Sequence, residues 1–175
     1  MLVKPEDVIK RLGIAEGSRV ADFGAGSGHW TIALGKRVGP KGKVYAIDVQ
    51  KELLSSVLSR AREEGLKNIE VIWGDFDTAG GSKIAASVVD YAVLANTLFQ
   101  LENKKVAAEE IKRVLKPSGK LLVVDWKDSF SQMGPHKDMV VKKEGGEQIF
   151  RDAGFKVEES FDVGNHQWGM ILENL

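Results

Sequence analysis

Apolar residues in this chain fall into two alternating patterns. Short runs of four to seven apolar positions alternate with longer stretches whose apolar residues recur every three or four positions. The first pattern suits strands and the second amphipathic helices. Residues 6–12 read as a short helix, with Pro5 near its first turn and Gly13 as its stop. Strands are expected at 19–23, 44–47, 69–73, 88–95 and 120–126. Between them lie helices over 28–38 and 51–64, and one capped by Asn103 that carries Val106, Ala107, Ile111, Val114 and Leu115. Leu53, Leu54, Val57, Leu58 and Ala61 form the apolar stripe of the 51–64 helix, and Gly65 ends it. Residues 74–87 carry no clear period, and 127–143 read as a loop. A helix over 146–153 precedes two final strands, 155–162 and 166–173, joined by Val163-Gly164-Asn165.

Strands separated by helices imply right-handed crossovers and a parallel sheet. The near-continuous apolar content of 88–94 and 121–124 suits strands covered on both faces. The last two strands lie too close together for a crossover and should pair antiparallel. No repeat or linker divides the chain, so residues 1–175 are expected to form a single α/β domain.

Composition narrows the function. Lys plus Arg and Asp plus Glu each number 25, so no net field attracts nucleic acid, and no nucleic-acid partner is expected. With no cysteine there is no disulfide, thiolate zinc site or cysteine nucleophile. No metal is expected. The N-terminus MLVKPEDVIKRLG is amphipathic without a signal-peptide core, and no apolar run could span a membrane, so a cytoplasmic protein is expected. The oligomeric state is not readable.

The chemistry concentrates in Val20-Ala21-Asp22-Phe23-Gly24-Ala25-Gly26-Ser27-Gly28-His29-Trp30, a strand running through a glycine turn into a helix. Glycine there permits positive φ and close approach of a ligand to the backbone. The spacing is G-x-G-x-G, whereas the dinucleotide fingerprint is G-x-G-x-x-G, with His29 standing where its third glycine would fall. Asp48 ends the second strand about 20 residues further on, where a carboxylate can accept both ribose hydroxyls of a nucleoside. Trp73-Gly74-Asp75-Phe76 closes the third strand, and Val89 to Phe99 carries the fourth toward the same edge, with Asp90 at its far end as a structural residue.

In this order, the acidic-x-G-x-G-x-G loop, Asp48, Gly74-Asp75-Phe76, the strand-four segment and Leu115-Lys116-Pro117-Ser118-Gly119-Lys120-Leu121 resemble the class I S-adenosylmethionine (SAM)-dependent methyltransferases. The resemblance is to the small stand-alone type-11 and ubiquinone/menaquinone-biosynthesis group, and it covers residues 19–126. Ser118 departs from the group's pattern, which has glycine there. The resemblance implies a Rossmann-like, seven-stranded sheet in the order 3-2-1-4-5-7-6 with the last strand antiparallel, and SAM as cofactor. Asp22, Gly24, Ala25, Gly26, Gly28, Asp48, Val49, Gly74, Asp75, Phe76 and Asn96 are then the cofactor-binding candidates. Asp75 would take the adenine amino group and Phe76 would flank the ring. Thr97, Phe99, Trp126, His136, His166 and Trp168 are the expected substrate rim, with the 127–143 loop as lid. His29, His136 and His166 are the candidate bases.

The expected activity is methyl transfer to a small-molecule acceptor. Two alternatives stay open at this point: a Rossmann-type nucleotide-dependent oxidoreductase, and a SAM-binding module without turnover. Asn96-Thr97-Leu98-Phe99 lacks the Pro-Pro signature of amino-methylating DNA enzymes, and the missing cysteine rules out covalent pyrimidine C5 and thiol-based arsenite chemistry.

Overall fold

The computed structural model describes residues 3–175; Met1 and Leu2 of the amphipathic N-terminus lie outside it. Seven strands form one sheet: β1 (Arg19–Phe23), β2 (Lys43–Asp48), β3 (Ile69–Trp73), β4 (Val89–Ala95), β5 (Leu115–Trp126), β6 (Phe155–Val163) and β7 (Gln167–Asn174). Their order is β3-β2-β1-β4-β5-β7-β6. Pairings from β3 through β5 are parallel, and β7 lies antiparallel to both β5 and β6. This is the topology expected of a class I methyltransferase sheet.

Alternation along each strand builds two cores. On one face Val20, Val44, Val93, Leu122, Val124 and Ile171 pack against α1 (Pro5–Ile9) and α2 (His29–Val38). α3 (Lys51–Glu63) joins this layer through Val57, which packs with Ala25 and Ala46. On the other face Ala21, Phe23, Ala92, Leu94, Leu121, Val123, Trp168 and Met170 pack against α4 (Lys104–Val114) and α5 (Lys143–Asp152). Asn103 caps α4 by accepting from the Val106 N–H at 3.3 Å. After β1 the chain runs outward to β2 and β3, then returns to β4 on the opposite side of β1. That reversal opens a crevice at the carboxyl ends of β1 and β4, where ligands of open α/β sheets bind.

Three departures from the sequence reading have a clear physical cause, and Leu115, expected on the helix after Asn103, instead opens β5. α5 begins at Lys143, ahead of 146, and continues through Gly145-Gly146. Glycine lowers helix propensity, but here it is required: a Cβ on Gly146 would lie 2.8 Å from Cη2 of Trp168, which is buried beneath it. The turn at Pro117-Ser118-Gly119 is absorbed into β5 as an irregularity: Val89 pairs with Leu115 and Tyr91 with Lys120. Ser118 occupies the left-handed region there (φ 61°), the conformation that favours the glycine found in the family pattern. The unassigned 74–87 stretch is held in place by Glu110 of α4. That carboxylate accepts from the Gly80 N–H (2.9 Å), Ser82 Oγ (2.6 Å) and both Arg113 Nε and Nη2. Burial alone would raise the Glu110 carboxyl, but the bonds from Arg113, Ser82 and Gly80 outweigh it and hold it at about 2.

Candidate active site

A cavity of about 700 Å³ opens at the β1/β4 crevice. Its floor is the glycine turn. The Gly24 and Ala25 N–H groups donate to Ile47 O at 2.9 and 3.0 Å, tying the turn to the end of β2. Gly24 sits against Thr97, where a side chain would collide, so this glycine answers to packing against the β4 loop. Gly26 (φ 54°) has open space where a Cβ would stand, and it lines the cavity. Gly28 (φ 93°) begins α2 with its Cβ position 3.1 Å from Val57, and Gly74 abuts the Gly81 carbonyl; neither lines the cavity.

Asp48, only 7% exposed, stands at the centre of this wall. Its Oδ2 accepts from Gly26 N–H and its Oδ1 from Gln50 N–H, both at 2.9 Å. Each carboxylate oxygen has a second acceptor direction, so Asp48 can hold the turn and still receive two hydroxyl protons. Asp22 lies behind the wall, fully buried, and accepts from Thr31 Oγ1 at 2.6 Å. Burial pushes its carboxyl up to about 7; the Thr31 hydrogen bond opposes this and the Asp48 charge adds to it.

Val49, Asp75, Phe76 and Asp77 continue the wall from β2 and β3. Asp75 Oδ1 accepts from Asp77 N–H, and Asp77 Oδ2 from Glu102 N–H, each at 3.0 Å. Asp77 Oδ1 is buried without a donor among the described residues. Phe76 turns its ring into the core, edge-on to Phe23 at 5.1 Å. On the far side, Asn96 is in the left-handed region (φ 55°) and its Oδ1 accepts from Gln167 Nε2. Thr97 donates to Ala95 O at 3.0 Å, and Gln100 and Leu101 complete that rim.

The expected substrate rim separates into two places. Thr97 lines the cavity beside Asn96, a cofactor-binding candidate, whereas Phe99, Trp126, His136, His166 and Trp168 do not. Phe99 donates its N–H to the buried Asp125 at 3.1 Å, and burial pushes the Asp125 carboxyl up to about 6 against backbone donors from Trp126, Phe99 and Leu98. Trp168 faces the α5 layer, 1% exposed, with its indole N–H on Val141 O at 2.9 Å. β7 starts at Gln167, and alternation sends Gln167 to the cavity and Trp168 to the core. His166 lies in the turn before it, stacked on Phe130 at 3.8 Å and paired with Asp128 at 3.0 Å. His136 is exposed beside Asp138. The loop from Lys127 to Lys143, expected as a lid, packs over Trp126 through Gly134, and none of its described residues joins the cavity wall. Of the three histidines only His29 borders the cavity. It is exposed, and Arg60 donates to its Nδ1 at 3.3 Å.

Sequence reading missed the other side of the cavity: Val3, Lys4 and Pro5 ahead of α1, Trp30 on α2, Gln50 and Leu53 at the start of α3, and Gln167. For Trp30 a signal existed, since it closes the glycine-loop segment. For Val3 to Pro5 none did, because they arrive only through the packing of α1 on α2.

The site residues fit a SAM molecule: a glycine turn with open space above Gly26, a carboxylate with spare acceptor directions, and amides at the opposite rim. Residues 14–171 match a methyltransferase-domain family. A SAM-dependent methyltransferase of known structure from Aquifex aeolicus is 35% identical, with a TM-score of 0.91 over 99% of this chain and 91% of its own. A demethylmenaquinone methyltransferase from a Geobacillus species is 31% identical over 69% of this chain and 50% of its own length. The chain therefore spans about half the length of the curated relatives it matches. A type 11 methyltransferase structure from Sulfolobus solfataricus, 22% identical with a TM-score of 0.78, shares the fold. Among the described residues, no helix is long and apolar enough to cross a membrane.

Proposed function

Because the chain belongs to the class I SAM-dependent methyltransferase family, we propose that it binds SAM in the β1/β4 crevice and transfers its methyl group to a small-molecule acceptor. The observation that carries this reading is the Gly26–Asp48 arrangement, in which a nearly buried carboxylate pins the glycine turn and keeps acceptor capacity facing the cavity. Bound there, SAM supplies an electrophilic methyl group on a positively charged sulfur. Asp48 receives the ribose hydroxyls, and Asp75 and Asp77 border the adenine side. Gly26 lets the turn approach the cofactor. Asn96, locked by Gln167, and Thr97, tied to Ala95, form a fixed wall beside the acceptor position.

The chain's part in the displacement is positioning and exclusion of water, the two contributions this chemistry most needs. Held by Asp48 and the glycine turn, SAM would supply a methyl carbon open to the acceptor lone pair, with the carbon–sulfur bonding electrons left on sulfur. No imidazole other than the exposed His29 borders the cavity among the described residues, which favours an acceptor that is nucleophilic without a histidine base. Its proton is then released to solvent. The small-molecule reading draws on the curated relatives, named for demethylmenaquinone.

The test is calorimetry against SAM, S-adenosylhomocysteine, NAD and NADP. Binding of the first two and not the last two is expected. Binding of NAD or NADP alone would return the crevice to a nucleotide-dependent oxidoreductase.

A further inference from the structure

The charges around the cavity are unequal. Asp48, Asp75 and Asp77 line one side, and Lys4 is the single Lys or Arg among the described residues that line it. Lys4 precedes α1, whose Val8 and Ile9 are buried in the core beside α2, and Pro5 fixes the first turn. The backbone carrying Lys4 is thus anchored, and its carbonyl accepts from Asp7 N–H at 3.1 Å. Its ammonium makes no ion pair or hydrogen bond with any described residue, although neighbouring Lys10 pairs with Asp7. SAM carries one negative group, the carboxylate of its methionine part. Three aspartates suit the ribose hydroxyls, the amino groups and the sulfonium, and each repels that carboxylate. Asn96 and Gln167 are already bonded to one another.

We propose that Lys4 is the anchor for the cofactor's carboxylate, making the N-terminal segment part of the cofactor site. The proposal rests on the cavity being the SAM site. It makes SAM recognition bipartite: Asp48 reads the nucleoside from β2, and Lys4 reads the amino acid from outside the sheet.

The test compares three ligands by calorimetry: SAM, decarboxylated SAM and methylthioadenosine. The second keeps the sulfonium and amine but has no carboxylate, and the third keeps only the adenosyl thioether. Lys4 is exposed, so Lys4→Gln and Lys4→Glu leave the core intact. For Lys4→Gln, SAM affinity is expected to fall roughly threefold to thirtyfold, a charge-assisted bond discounted for exposure. Affinity for the other two ligands should not change. Lys4→Glu should bind decarboxylated SAM in preference to SAM. Equal loss for SAM and decarboxylated SAM, or no loss for either, would overturn the assignment of Lys4 while leaving the cavity as the SAM site. Failure of methylthioadenosine and SAM alike to bind the unaltered protein would instead remove the cofactor reading on which the proposal stands.

Discussion

Two aspartates near the glycine turn have opposite surroundings and should respond differently to change. Asp48 faces the cavity and holds two backbone N–H groups. Asp48→Asn keeps the size but loses the charge and one acceptor, so SAM affinity should fall by about tenfold to a hundredfold, ~1.5–3 kcal/mol of charge-assisted bonding. Calorimetry on the folded variant measures this, and unchanged affinity would place the ribose elsewhere. Asp22 was expected to bind the cofactor but is sealed behind the turn, with its carboxyl raised to about 7. The folded state therefore retains a proton that the unfolded chain gives up near pH 4. Its contribution to stability is fully present below that pH and is lost as pH rises through about 7. Asp22→Asn, which can still accept from Thr31, should flatten the fall in denaturation midpoint between these limits. A residual slope should remain from Asp125, raised to about 6. An unaltered profile for Asp22→Asn would show that Asp22 is ionised throughout.

Elements were legible where local pattern and tertiary packing agree. β1 to β4, α2 and α3 fall within a residue or two of their expected positions, because apolar runs and helical stripes there match the faces they bury. The discrepancies arise where a distant partner decides. Gly145-Gly146 argues against a helix start until Trp168 is placed beneath Gly146. Gly146→Ala, favourable by propensity, should destabilise the protein by ~1–3 kcal/mol in chemical denaturation because the added methyl has nowhere to go. A gain in stability would mean that Trp168 yields readily. The 74–87 stretch has no period of its own because Glu110, on α4, satisfies its backbone. Glu110→Ala leaves the Gly80 and Ser82 donors unpaired and Arg113 with the Ile84 carbonyl alone. It should cost ~1–3 kcal/mol, with weaker SAM binding because Asp75 and Asp77 belong to this stretch. Denaturant midpoints and calorimetry on the same sample separate the two effects, and wild-type stability would mean that the stretch is held by other contacts.

For the whole molecule, the sheet order sets the location of the site and the layers on its two faces set its contents. The strand motifs made Asp48, Gly26 and Asn96 legible, since Asp48 ends β2 and the other two lie just past the carboxyl ends of β1 and β4. They did not reveal Lys4, Trp30 or Gln167, which reach the cavity through the α1–α2 packing and the antiparallel return of β7. His166 and Trp168, both expected on the substrate rim, are parted by the start of β7, and of residues 166–168 Gln167 alone faces the cavity. Among the described residues the crevice at the β1/β4 reversal is where a nucleoside fits, and residues 14–171 match a methyltransferase domain. The most direct measurement is turnover of SAM labelled in its methyl group, supplied with a library of small-molecule acceptors and followed by mass spectrometry. The account predicts that label enters one acceptor with one S-adenosylhomocysteine formed per methyl, and that Asp48→Asn suppresses both. SAM that binds tightly but never transfers its label to any small molecule, while a protein or nucleic acid added to the same assay becomes labelled, would contradict it.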